Sequence, residues 1–251
     1  MLVNAQKLPI KQNNGLWVPA NIKINGNADE WDNKFQAYNH ATDLFYTLAN
    51  NDAFIYLIVH AEDPDVITTI STYGFTFGIQ VEKNANANKN LIVIQFPLFD
   101  FKNGIPIFSL YKAGAAIDTS ASVEQTIMTG NNKLLQQKHK IIIVNGVAAL
   151  DTLSIYNDKG IKVAESFDNK RTYTLEMAIP LKYIKQLTGD VSKFSYHMLI
   201  NGRETANIPF NTPPGGFTPE EQKGVDALYA RINKRYARTD FWGEYTLAKK
   251  P

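Results

Sequence analysis

This sequence predicts an all-β fold, an antiparallel β-sandwich of the immunoglobulin or jelly-roll kind with a short helical turn and one C-terminal helix. Short aromatic and β-branched runs recur along the chain with Asn, Asp, Gly and Pro between them, the pattern of a sandwich. Several of these runs alternate apolar with polar residues, as a strand with one buried face requires. Helix start signals and helical spacing coincide clearly at one place only, after Thr218.

Taken in order, residues 1–19 lack periodicity and carry Asn13-Asn14-Gly15 and Pro19, so they read as a tail that lays one short strand, near Leu16 to Val18, on the domain. Val3 and Ala5 are small residues two apart, so the start reads either as the remnant of an export signal or as an ordinary frayed terminus. Residues 20–251 read as one domain. Ile22-Lys23-Ile24 alternates, Asn25-Gly26 turns the chain, and Trp31 reads as a core plug rather than a ligand platform.

The stretch from Asp43 to Asp65 organises the rest. Its two apolar runs are separated by Asn50-Asn51-Asp52, whose short side chains bond nearby backbone groups, so a hairpin is expected. Phe54 to Ala61 is apolar at nearly every position, which suits a strand covered on both faces. Thr72 to Val81 reads as the next strand, with Gly74 and Gly78 on the face opposite Phe75, Phe77 and Ile79 and explained by a bulge or a snug sheet contact.

Residues 82–90 form an Asn-rich loop, Leu91 to Phe96 a strand, and 114–122 a small, polar surface excursion. Segments 139–145, 151–157 and 161–166 read as strands, the last two joined as a hairpin by Asn157-Asp158-Lys159-Gly160. Tyr173 to Ile179 is a strand halted by Pro180. Leu181, Ile184 and Leu187 then mark a helical turn that Gly189 ends, and Phe194 to Ile200 is a further strand. Thr218-Pro219-Glu220-Glu221 opens the helix with a capping box, and Val225, Leu228, Tyr229, Ile232 and Tyr236 share its apolar stripe. Arg231, Lys234, Arg235 and Arg238 suit the negative pole of the helix dipole. Phe241 to Leu247 is the final strand.

Composition narrows the function. The chain has 251 residues and a net charge of +2, from 26 basic and 24 acidic side chains, without the basic field of a nucleic-acid binder. No cysteine is present, which removes disulfides, thiolate metal sites and cysteine nucleophiles. No run of 18 apolar residues offers a transmembrane helix. The acid pairs Glu30/Asp32, Glu62/Asp63 and Glu220/Glu221 are local in sequence and read as solvated turn or helix residues, so no enzyme is expected. His40, His60, His139 and His197 show no metal-ligand spacing.

Four segments, in order, resemble the carbohydrate-binding module family 9-like domains, relatives of the DOMON sandwiches. They are Ile24-Asn25-Gly26-Asn27-Ala28-Asp29-Glu30-Trp31, then Asn51 to Leu57 with Asp63, then Tyr173 to Leu181 with its Glu176-Met177-Ala178-Ile179-Pro180-Leu181, and finally Phe241-Trp242-Gly243-Glu244-Tyr245-Thr246-Leu247. Sugar-binding members clamp a ring between two tryptophans, whose places here fall near Ile70 and Tyr236. The family's acidic strand residues are missing from Tyr73 to Gln80, so the resemblance implies no calcium site in that strand.

What the resemblance implies is a non-catalytic carbohydrate-binding domain of an exported protein, secreted, periplasmic or at the cell surface, holding poly- or oligosaccharide at the sandwich end. Tyr236, Asp240, Arg238, Asn201 and Arg203 are the candidate site residues. Each has a structural alternative, such as Tyr236 closing the helix stripe, Asp240 capping a turn, or Arg203 in a surface ion pair. The rival reading is a structural or protein-interaction sandwich that has lost its sugar clamp. A haem-binding electron carrier using Met177 or Met198 with His197 or His60 is the remaining alternative, although adjacent residues His197 and Met198 point to opposite faces of a strand.

Overall fold

The computed structural model of the chain describes residues 7–81, 91–98, 108, 121–188, 192–202 and 215–251. The start at residues 1–6, the Asn-rich loop, the excursion up to residue 120, Gly189 and Arg203 lie outside them. Among the described residues two antiparallel sheets enclose one core. The first runs β1 (Ala37–Asn39), β2 (Leu44–Asn50), β3 (Phe54–Ala61), β9 (Tyr173–Pro180), β8 (Lys162–Phe167). The second runs β11 (Thr239–Thr246), β10 (Lys193–Ile200), β4 (Phe75–Gln80), β5 (Leu91–Phe96), β6 (Ile141–Asn145), β7 (Thr152–Ser154).

The β2–β3 hairpin forms as its turn residues dictate: the Asn51 carboxamide oxygen accepts from the backbone N–H groups of Ala53 and Phe54, at 2.9 and 2.8 Å. β3 is the middle strand of its sheet. Ile55, Leu57, Val59 and Ala61 face the main core, while Tyr56 and Ile58 face a second cluster with Val18, Ala28, Trp31 and Ala178. Both faces are covered from Ile55 to Val59, which is why those positions are apolar or aromatic.

A buried carboxylate fixes that second cluster. Glu176 on β9 is fully buried and accepts from the backbone N–H groups of Asn25 and Gly26 and from the Trp31 indole, each at 2.9 Å. Burial raises its pKa above the usual carboxylate value, and the three N–H donors work in the other direction. Trp31 is therefore a core plug with a polar tether. Ile22 to Ile24 lies on the same cluster without joining either sheet.

Among the described residues before β1, the stretch from Pro9 to Val18 lies along the first sheet. Gln12 bonds the N–H and C=O of Leu48, and Trp17 bridges Asn50 in parallel, extending the first sheet where β1 ends. The Gln12 backbone N–H donates to the Tyr46 hydroxyl, which meets the Tyr196 hydroxyl at 2.8 Å in mid-core.

The helices correct the sequence expectation, since four form among the described residues rather than one and a turn. α1 (Pro64–Tyr73) crosses from the first sheet to the second and takes Thr72 and Tyr73 out of the expected strand. Asp63 caps it, accepting from the backbone N–H groups of Asp65 and Val66, and Pro64 sits at the first helical position. Its β-branched run favours a strand locally, but Val66, Ile67 and Ile70 are buried in the main core, and packing outweighs propensity. Gly74 ends the helix at φ 86°, and a Cβ there would lie 2.3 Å from the Pro97 carbonyl oxygen.

α2 (Ala121–Lys138) buries Glu124, Met128, Asn131 and Leu135 along one stripe, and its half-polar character hid it. The helix is pinned by Arg171, which donates to the Glu124 carboxylate through two nitrogens, at 2.8 and 3.0 Å. α3 (Leu181–Thr188) is the expected helical turn, and α4 (Pro219–Tyr236) has the expected capping box. Asn157 to Gly160 is not a hairpin turn. It carries the chain from β7 in the second sheet to β8 in the first, and β8 pairs with β9 instead.

Candidate functional site

Strand alternation decides what the β10–β11 pair shows to solvent. Phe241 and Tyr245 are buried inward. Gly243 between them is glycine because the Tyr196 ring occupies its place, where a Cβ would come within 2.2 Å. Trp242 and Asp240 therefore face outward, and pairing sets Trp242 opposite His197. Their rings stack in near-parallel planes, 7° apart with centroids 4.3 Å apart. The His197 Nε2 lies 2.7 Å from Asp240 Oδ2. On the other side of His197, Gly78 leaves room for its Cβ, a snug sheet contact rather than a bulge. Trp242 remains 41 % exposed.

The sequence-predicted residues divide around this group. Asp240 is part of it, as the partner of His197 rather than a turn cap. Arg238 and Asn201 flank the last β10–β11 pair, Ile200 with Thr239, at the same end of the strands. Asn201 accepts from the Thr76 hydroxyl at 3.0 Å. Arg203 and the Tyr236 side chain lie outside the described residues. His197 and Trp242 were not expected to share a site, although alternation along Phe241 to Leu247 already turns Trp242 outward.

A second concavity of about 450 Å³ opens on the outer face of the first sheet. Phe45 on β2 and His60 on β3 form its floor with Phe35, whose ring stacks on His60 at 5.0 Å and 21°. Phe45 is held by Tyr38, with centroids 4.5 Å apart. Glu62 and the β8–β9 turn, with Asp168, Lys170 and Thr172, supply polar walls. Burial lowers the His60 pKa and Lys170 adds to this, against the upward pull of Glu62 and Asp168. No single stretch of the sequence marks this cleft. Its one local signal was the outward position of Phe45 between inward Leu44 and Tyr46.

The residues named for haem do not come together. Met177 and Met198 are buried in the main core, whereas His60 lines the outer cleft and His197 the outer face of β10. No Met–His pair among these four shares a face. Among the described residues no three His, Asp or Glu side chains gather as a metal set. A third histidine, His139, is buried with Nδ1 2.7 Å from Glu165, whose other oxygen accepts from the Tyr173 hydroxyl at 2.5 Å. Phe96, Phe108 and Phe167 surround this group, which ties the end of α2 to the first sheet. No helix of the described residues is long and apolar enough to cross a membrane.

The chain matches no family model, no curated protein and no solved structure.

Proposed function

We propose that this chain is a non-catalytic carbohydrate-binding sandwich of the family 9-like kind, working in an exported protein, with its binding surface on the outer face of β10 and β11. The observation that carries the reading is the Trp242 ring, exposed and backed by an imidazole that a carboxylate holds in place. Sugar rings present C–H faces to an aromatic ring and hydroxyls to polar neighbours. A platform already fixed by Asp240 and His197 loses little freedom on stacking, so more of the contact energy survives as affinity. Asp240 supplies an acceptor beside it, and Arg238 lies just ahead of the same strand. A flat surface of this kind suits a saccharide lying along it, from a trisaccharide up to a polysaccharide, rather than an enclosed single sugar.

Screening the protein on a glycan array, then measuring affinity for the strongest glycan by calorimetry, tests the reading. Trp242→Ala is expected to weaken binding at least tenfold with an unchanged unfolding midpoint. An array with no binding to any poly- or oligosaccharide overturns it in favour of the structural or protein-interaction rival. Leu228, 44 % exposed on α4, would be the place to look for such a partner.

A further inference from the structure

We propose that the cleft on the outer face of the first sheet is a second, independent saccharide site, taking a short neutral oligosaccharide, so that one molecule holds two glycan segments on opposite faces. The ligand class rests on the reading of the chain as a glycan binder, but the residues are different ones. Its volume of about 450 Å³ falls in the range of small-ligand sites. The floor is apolar and held in place, because Phe35 stacks on His60 and Phe45 packs against Tyr38.

The polar groups are arranged for hydroxyls. Asp168 Oδ1 accepts from the backbone N–H groups of Lys170 and Thr172, both at 2.9 Å, so the turn fixes the carboxylate and leaves Oδ2 for a ligand. His60 Nδ1 is paired with the Thr174 hydroxyl at 3.0 Å, while Nε2 stands 3.8 Å from Glu62 Oε1. That gap is longer than a hydrogen bond and short enough for one ligand hydroxyl to bond both atoms. Lys34 and Lys170 offset Glu62 and Asp168, so the site carries no net charge that would select an ionic ligand. The Trp242 platform lies on the outer face of the other sheet with the core between them. A short oligosaccharide therefore cannot engage both sites at once, and a longer one can join two molecules.

Calorimetric titration with cellotriose, maltotriose and triacetylchitotriose separates the two sites. The wild type is expected to take two equivalents of at least one of these. Trp242→Ala should keep one equivalent, and that remaining binding should weaken at least tenfold on adding either Phe45→Ala or Asp168→Asn. The asparagine keeps the oxygen that closes the turn, so its effect does not depend on folding. A wild-type stoichiometry of one that vanishes in Trp242→Ala overturns the cleft and leaves the platform standing. One equivalent that survives Trp242→Ala and is lost in Asp168→Asn supports the cleft and removes the platform. No binding of any of the three sugars overturns the cleft.

Discussion

Trp31 and Glu176 lie 145 residues apart, yet the indole N–H meets the buried carboxylate at 2.9 Å. A hydrogen bond to a charged group contributes about 1.5–3 kcal/mol, so Trp31→Phe, which keeps the packing and removes the donor, should lower stability by about 2 kcal/mol. Chemical denaturation checks this, with an unchanged denaturant slope expected. His60 gives a pH signature. Its folded pKa lies below the unfolded value of 6.5, so the unfolded chain takes the proton first. The contribution is complete above pH 6.5 and is lost as pH falls through the window below it. Glu176, raised from 4.5, acts with the opposite sign, its contribution declining as pH rises from that value. In His60→Gln the loss on the acid side of pH 6.5 should disappear, leaving the Glu176 slope, as denaturation curves at a series of pH values would show. Both residues stood out in the sequence, Trp31 as a plug and His60 as a strand histidine. Their partners did not, because contacts across a sheet leave no local pattern.

Among the elements, the strands were legible wherever apolar residues alternated or ran together, and the helices only where caps and an apolar stripe agreed. Asp63-Pro64-Asp65 carried the start signal of α1, but the run of Val, Ile and Thr behind it reads as strand until the open end of the core is seen to need a plug. α2 was illegible for a different reason. Two of its four buried positions are the polar Glu124 and Asn131, and the residues that hold the helix, Arg171 on Glu124 and Phe167 on Asn132, come from the distant β8–β9 hairpin. Removing one partner of a buried ion pair leaves an uncompensated charge and costs about 3–5 kcal/mol. Glu124→Ala should show a loss of that size in thermal or chemical unfolding. The double variant Glu124→Leu with Arg171→Met should recover most of it, since replacing both charges by apolar groups removes the orphan.

At the scale of the molecule, the antiparallel two-sheet plan was readable from the sequence, but the places where the chain changes sheets were not. Asn157 to Gly160 has the residues of a hairpin and serves as a crossing, with β7 paired to β6 and β8 to β9. The candidate surface was half legible: Asp240, Arg238 and Asn201 were named from the sequence, while the pairing of His197 with Trp242 depends on register. The cleft required two strands, the segment ahead of β1 and a turn to meet, which no single stretch encodes. One feature of the frame reaches further. Leu16 bonds the Tyr245 hydroxyl, Asn50 bonds both the N–H and C=O of Ala248, and the Gly15 backbone runs against that of Thr246. Residues 15–17 and the end of β11 thus meet at the end of β2, where Asn50 holds both. Asn50→Ala should therefore speed amide exchange at Ala248 while the β2–β3 pair keeps its protection, as residue-resolved hydrogen exchange would show.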